Sequence, residues 1–276
     1  MSTLALPASR FTDLLAAEWI KLRSLRSTYW AFGCGALAVV GFNANAARAD
    51  YVNYPHYGGP IREDFVYWAL RDAFTQGSAM ILVLVCASIG AITVVGEYAT
   101  GLVRTTFTAV PDRRALMAAK VVVLTAVMTV FGALVAAASY ASSQAILDGR
   151  GLGVPIDHPG AWRVVVASAL LAPVCALAGM GLGAVIRHSA TTMVLTTFVL
   201  LFLPSFVTDR YHWTASVRHA FPFNAWERLV DVGYGQSRYV LVPKYPATVA
   251  GGWVVFAVWA AVAALVAVVV VDRRDV

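Results

Sequence analysis

Residues 73–96 read AFTQGSAMILVLVCASIGAITVVG, a run without a single Asp, Glu, Lys or Arg. A membrane-spanning helix needs roughly 20 apolar residues, and one charge at its centre costs about 2.5–3.5 kcal/mol on insertion scales. Five more runs pass the same test: Ser27–Ala47, Val121–Leu147, Val164–Ile186, His188–Thr208 and Tyr245–Val271. Each of the six has 21 to 27 residues, whereas the next longest charge-free run, Tyr51–Ile61, has 11. In hydrocarbon every backbone N–H and C=O must be bonded within the protein, and segments of this length achieve that as helices. The chain therefore reads as an all-α integral membrane protein with one transmembrane domain over residues 1–276. Its spans are expected at about 29–47, 74–95, 121–143, 164–186, 190–207 and 249–271.

Composition agrees. The chain is 59% hydrophobic and 13% charged, against about 25% charged in soluble domains. The net charge of +6 reads as basic anchors flanking the spans rather than as a nucleic-acid footprint. Cys34, Cys86 and Cys175 all lie inside apolar runs with no metal-ligand spacing, and they read as small hydrophobes. Three lysines against eighteen arginines, with abundant Ala and Val, fit a GC-rich bacterial genome.

Around these spans the polar segments differ in character. In Arg10–Arg26, apolar positions Phe11, Leu14, Leu15, Trp19, Leu22 and Leu25 alternate with Asp13, Glu18, Lys21 and Ser24. That spacing predicts an amphipathic helix lying at the membrane surface, the alternative being a simple cytoplasmic extension. The first span is the most dilute, with Asn43 and Asn45 near its end. It reads as a retained anchor, and a cleaved signal peptide is the alternative. Asp112 is placed to cap span three, with Arg113, Arg114 and Lys120 as basic anchors. Span four holds Pro173 and the pair Gly179 and Gly183, whose spacing lets a neighbouring helix approach closely, in this chain or in a second copy. In the last loop, Asp209–Lys244, Asn224-Ala-Trp-Glu227 resembles a capping box opening a short amphipathic helix with Trp226, Leu229 and Val230 on one face.

Six spans put both termini on one side, with the segment Gly96–Lys120. Eleven basic residues fall on that side and ten on the other. Lys21, Arg23 and Arg26 before the first span, against Arg48 after it, place the termini in the cytoplasm.

Chemistry-bearing motifs are sparse. There is no Gly-Lys dipeptide, hence no phosphate-binding GxxxxGK[ST] loop, and the five histidines have no ligand spacing. None of the expected spans carries an ionisable carboxylate, Lys or Arg, which argues against a proton- or ion-driven carrier and for energy arriving from outside the membrane.

Gly96-Glu97-Tyr98-x-x-Gly101-x-x-Arg104, followed by Pro111-x-Arg113-Arg114 and Ala119-Lys120, resembles the cytoplasmic loop of permease subunits of type-two ABC exporters. Glu18-x-x-Lys21-x-x-x-Leu25-Arg26-Ser27-x-x-Trp30 is similar to that family's opening signature. Gly181-x-Gly183-x-x-x-Arg187 and Pro222-Phe-Asn-Ala match its habits, while Leu102 stands where many members have Thr. The resemblance implies a bacterial plasma-membrane exporter subunit, dimerising or pairing with a second permease. It would have no catalytic or metal site and no cofactor of its own, with ATP and Mg held by a separate ATP-binding subunit. It implies a coupling helix starting near Glu97, with Glu97, Tyr98, Gly101, Arg104 and Thr105 meeting the ATPase. It also implies that the outer-loop helix with Asn224, Trp226 and Glu227 caps the translocation path. Two other classes stay open. One is a membrane-embedded enzyme using His212, His219, Glu227 and Asp231, and the other is a non-transporting sensor or immunity protein.

Overall fold

The computed structural model describes residues 10–24, 26–102, 105, 108, 112–233 and 244–273. Their regular structure is entirely helical: α1 (Phe11–Ser24), α2 (Arg26–Asn53), α3 (Gly59–Glu63), α4 (Phe65–Asp72), α5 (Gln76–Ala99), α6 (Arg113–Asp148), α7 (Ala161–Ile186), α8 (Ser189–Thr197), α9 (Leu203–Phe206), α10 (His212–His219), α11 (Pro222–Val230) and α12 (Val249–Arg273). Six helical segments are long and apolar enough to cross a membrane. They are α2, α5 with the preceding α4, α6, α7, the α8–α9 segment, and α12.

The helices overrun the expected spans where polar residues find partners. Helix α2 passes through Asn43 and Asn45 to Asn53, because Asn43 is fully buried and satisfied. Its amide donates to Ser139 Oγ at 3.0 Å, and its carbonyl oxygen accepts from Thr75 N at 3.1 Å and Thr75 Oγ1 at 3.0 Å. One side chain of span one thereby ties the start of span two to the C-terminal third of α6. Helix α6 has 36 residues, about 54 Å at 1.5 Å per residue, and so overshoots a hydrocarbon core of roughly 30 Å. Asp112 caps it, accepting from Ala115 N at 3.0 Å. The chain leaves α7 through Arg187 in the left-handed conformation (φ 59°). It re-enters at α8 under a cap from His188, whose ring nitrogen faces Thr191 N. Between α8 and α9, Phe198–Phe202 form a π-helical turn directly before Pro204. Widening of this kind accommodates the donor that proline lacks.

Span four is the axis of the bundle. Of its most apolar stretch, 72% is buried, against 22% for spans one, five and six. Glycine makes that packing possible. A Cβ on Gly179 would lie 2.0 Å from the Ala87 carbonyl oxygen of span two, and one on Gly90 would lie 1.9 Å from that of Ala176. Gly132 of span three meets the Ala169 oxygen in the same way, at 2.1 Å. The partner of the Gly179–Gly183 face is thus span two of the same chain, running parallel to span four.

At one end, here the terminal face, α1, the C-terminal ends of α5, α7 and α12 and the N-terminal end of α6 converge. There Arg114 pairs with Asp272 at 2.7 Å, and the Arg187 guanidinium lies 4.8 Å over the Tyr98 ring. The opposite end, the loop face, carries α3, α4, α10 and α11.

Candidate functional site

On the terminal face four charges from three helices close into a ring. Glu18 of α1 accepts from Lys120 of α6 through one oxygen, and from Lys21 through the other at 2.8 Å. Glu97 of α5 accepts from Lys120 at 2.8 Å and from Lys21 at 3.0 Å. Glu18 and Lys120 are 4% and 5% exposed, Glu97 16% and Lys21 42%. Burying either lysine or either glutamate alone would cost several kcal/mol, and the alternation of signs around the ring offsets that cost. Burial pulls the Lys21 ammonium down, but hydrogen bonds and charges from Glu18 and Glu97 more than compensate and leave it above the ordinary lysine value. Beside the ring, Leu14 of α1 packs on Leu116 and Ala119 of α6.

This arrangement revises several expectations. Lys120 is a buried member of the ring and no snorkelling anchor. Helix α1 is fastened through the polar Glu18 together with Leu14, and it leaves Phe11 and Trp19 about half exposed and available to lipid. Glu97 does not open a helix. It lies in the last turn of α5, where the helix dipole disfavours a carboxylate, and two ammonium groups hold it there. Tyr98 follows in the same turn. The helix then stops because Gly101 adopts φ 71°, its N–H reaching back to the Tyr98 carbonyl at 3.2 Å. A glycine in the left-handed conformation is the usual helix terminator. Thr105 is helical and its hydroxyl donates to the Leu102 carbonyl at 2.9 Å. Arg104 lies outside the described residues.

The loop face is built differently. Helix α11 is amphipathic and drops its apolar side into the bundle. Phe223, Trp226, Leu229 and Val230 are buried, and Trp226 Nε1 donates to Ser168 Oγ of span four at 3.0 Å. The helix begins at Pro222, whose fixed φ suits the first helical position. Asn224 is therefore no cap; it sits inside the first turn and donates to Glu227 at 3.1 Å. Two arginines close the other end, where the dipole favours cations. Arg163 donates to the Leu229 and Asp231 carbonyls at 2.9 and 3.2 Å, and Arg228 to those of Ala247 and Asp231 at 2.7 and 3.2 Å.

Between α11, α10 and the α4–α5 corner lies a cavity of about 440 Å³. Arg71, Asp72, Gln76, Arg218, His219, Glu227 and Asp231 line it, with Trp68 and Trp226. Gln76 donates to Glu227 at 2.6 Å. Burial pushes the Glu227 and Asp231 carboxyls above their ordinary range, although the neighbouring Arg218 and Arg71 respectively pull them back. His212 stays out of this group, its ring set against Tyr245 at 5.4 Å. Among the described residues no cluster of His, Cys, Asp and Glu has the geometry to hold a metal ion.

Sequence reasoning reached Glu97, Asn224, Trp226 and Glu227 but not their partners. The Glu18–Lys120 contact joins positions 102 apart. Arg71 and Asp72 read only as the flank of a span, and Gln76 as part of it. The legible signal was Gln76, an amide inside the apolar run 73–96 that is the partner of Glu227. No family model matches the chain, and no curated protein is significantly similar to it.

Proposed function

We propose that this chain is the permease subunit of an ATP-binding-cassette exporter in a bacterial plasma membrane. A separate subunit binds ATP and Mg and hydrolyses the ATP. The permease works as a homodimer or beside a second permease, with both termini cytoplasmic and α1 at the lipid surface. The observation that carries this reading is the four-charge ring. Glu18 and Lys21, Glu97, and Lys120 come from the three segments that resemble the exporter family, and they meet where α5 ends and α6 begins, the two helices that the segment 100–112 joins along the chain. Force applied to that segment would reach α1, span two and span three together, as coupling to a docked ATPase requires. Arg104 and Thr105 are the residues to meet the partner.

Purifying the tagged chain from its host in mild detergent tests the reading, since a nucleotide-binding subunit should come with it. Arg104→Glu should abolish stimulation of ATP hydrolysis while the chain stays in the membrane at normal level. Unchanged export and hydrolysis in that variant would overturn it. The enzyme reading draws on His219, Glu227 and Asp231 sharing one cavity. It predicts an activity in the isolated chain, without any ATPase, that alanine at His219 or Glu227 removes.

A further inference from the structure

Apart from the long Arg218–Asp209 pair, opposite charges around the loop-face cavity are left apart among the described residues. Both oxygens of Glu227 are met by neutral amides, Gln76 Nε2 at 2.6 Å and Asn224 Nδ2 at 3.1 Å. Asp72 is 8% exposed, and its Oδ2, like Asn224 Oδ1, is shut from solvent with no donor. Among the described residues Arg71, extended over the Trp68 ring at 5.9 Å, makes no ion pair with a carboxylate, and Arg218 makes a long one, at 3.5 Å, with Asp209, which also lines the cavity. Carboxylates and guanidiniums free to touch would close into pairs, as the terminal-face ring does. Here the bundle holds them around an open volume of about 440 Å³, within the size range of small-molecule pockets.

Partly buried charges without partners are costly, and a ligand with a single sign would answer only half of them. We propose that this cavity binds a compact zwitterion, a ligand with a primary ammonium close to a carboxylate or phosphate. The ammonium, a donor only, is set by Glu227 and Asp231, and the anionic end by the guanidinium forks of Arg71 and Arg218. Two sources carry this chemistry: a free amino compound such as a small peptide, and the headgroup of phosphatidylethanolamine. The site does not depend on the transport reading.

The test uses the full chain in nanodiscs of phosphatidylglycerol, which brings no ammonium. Calorimetric titration compares phosphoethanolamine and glycylglycine with ethanolamine and inorganic phosphate. At least one zwitterion should bind, and both single-sign probes should bind at least about tenfold more weakly. Arg71→Gln and Glu227→Gln should each weaken the zwitterion about tenfold or more. Arg71 is exposed, so that variant keeps the fold, and its unchanged thermal melt verifies this. Repeating the titration in phosphatidylethanolamine discs separates the sources. A lipid headgroup in the site competes and lowers the apparent affinity, whereas a site for free zwitterions keeps it; either outcome supports the site. The proposal is overturned if neither zwitterion binds at millimolar concentration. It is equally overturned if ethanolamine or phosphate binds as well as the zwitterions, or if both variants bind like the parent.

Discussion

The two faces use the same kinds of charged residue to opposite ends. On the terminal face, α1, α5 and α6 bring two carboxylates and two ammonium groups into direct contact, and every charge has two partners. On the loop face, α4, α10 and α11 carry carboxylates and guanidiniums to a cavity where, among the described residues, the one ion pair is the long Arg218–Asp209 contact at 3.5 Å. Enclosure makes the difference. Where helices pack side by side, charges are excluded from water and must pair. Where a short amphipathic helix rests across the bundle end, they surround an open volume and are held apart although partly buried. The first arrangement fastens the molecule, and the second leaves it receptive.

The largest effect should come from opening the fastener. Lys120→Met leaves Glu18 and Glu97 sharing Lys21 and should lower stability by about 3–5 kcal/mol, the range found when one partner of a buried pair is removed. A detergent-unfolding midpoint measures this. Adding Glu18→Leu should recover part of the loss, because the second buried charge goes too. No loss in the single variant would remove the distinction between the faces.

A smaller effect separates them by pH. Glu227 and Asp231 have folded values raised by burial. The stability linked to their protonation is therefore fully present below the unfolded carboxylate values of about 4, and is lost as pH rises through the raised folded values. Amide exchange in α11, corrected for intrinsic rate, should slow as pH is lowered from 7 towards the unfolded carboxylate values of about 4. Lys21 is also raised. Its share is present below about 10.4 and is lost only as pH climbs through a higher folded value, so it gives α1 no such change between pH 5 and pH 7. Faster exchange in α11 at pH 5 would contradict the loop-face account. The smallest effect belongs to Lys21→Ala. That side chain is 42% exposed, and its solvent-screened pairs should contribute less than about 1 kcal/mol in the same detergent midpoint.

Sequence made the six-helix architecture legible because insertion energy is local: a run either tolerates hydrocarbon or does not. Span ends were less legible, since they depend on who satisfies a polar group. Asn43 looked like the fading of span one until Ser139 and Thr75 supplied its bonds. The helix expected to open at Asn224 starts three residues earlier, because Pro222 opens it after Phe221 without a side-chain cap. Single residues of both candidate sites could be named from motif or loop position. Their partners, Lys120 for Glu18 and Gln76 for Glu227, are long-range facts that no spacing encodes.

The glycines at the seams between span four and spans two and three carry a mechanical consequence. With backbone against backbone at Gly90, Gly132 and Gly179, spans two, three and four cannot slide without collision, so they form a welded core. Any working stroke has to be taken up by the lightly buried periphery. Span five is the natural joint, with a left-handed corner at Arg187, a π turn in its middle and Pro204 just beyond. It can swing about a keel that does not bend.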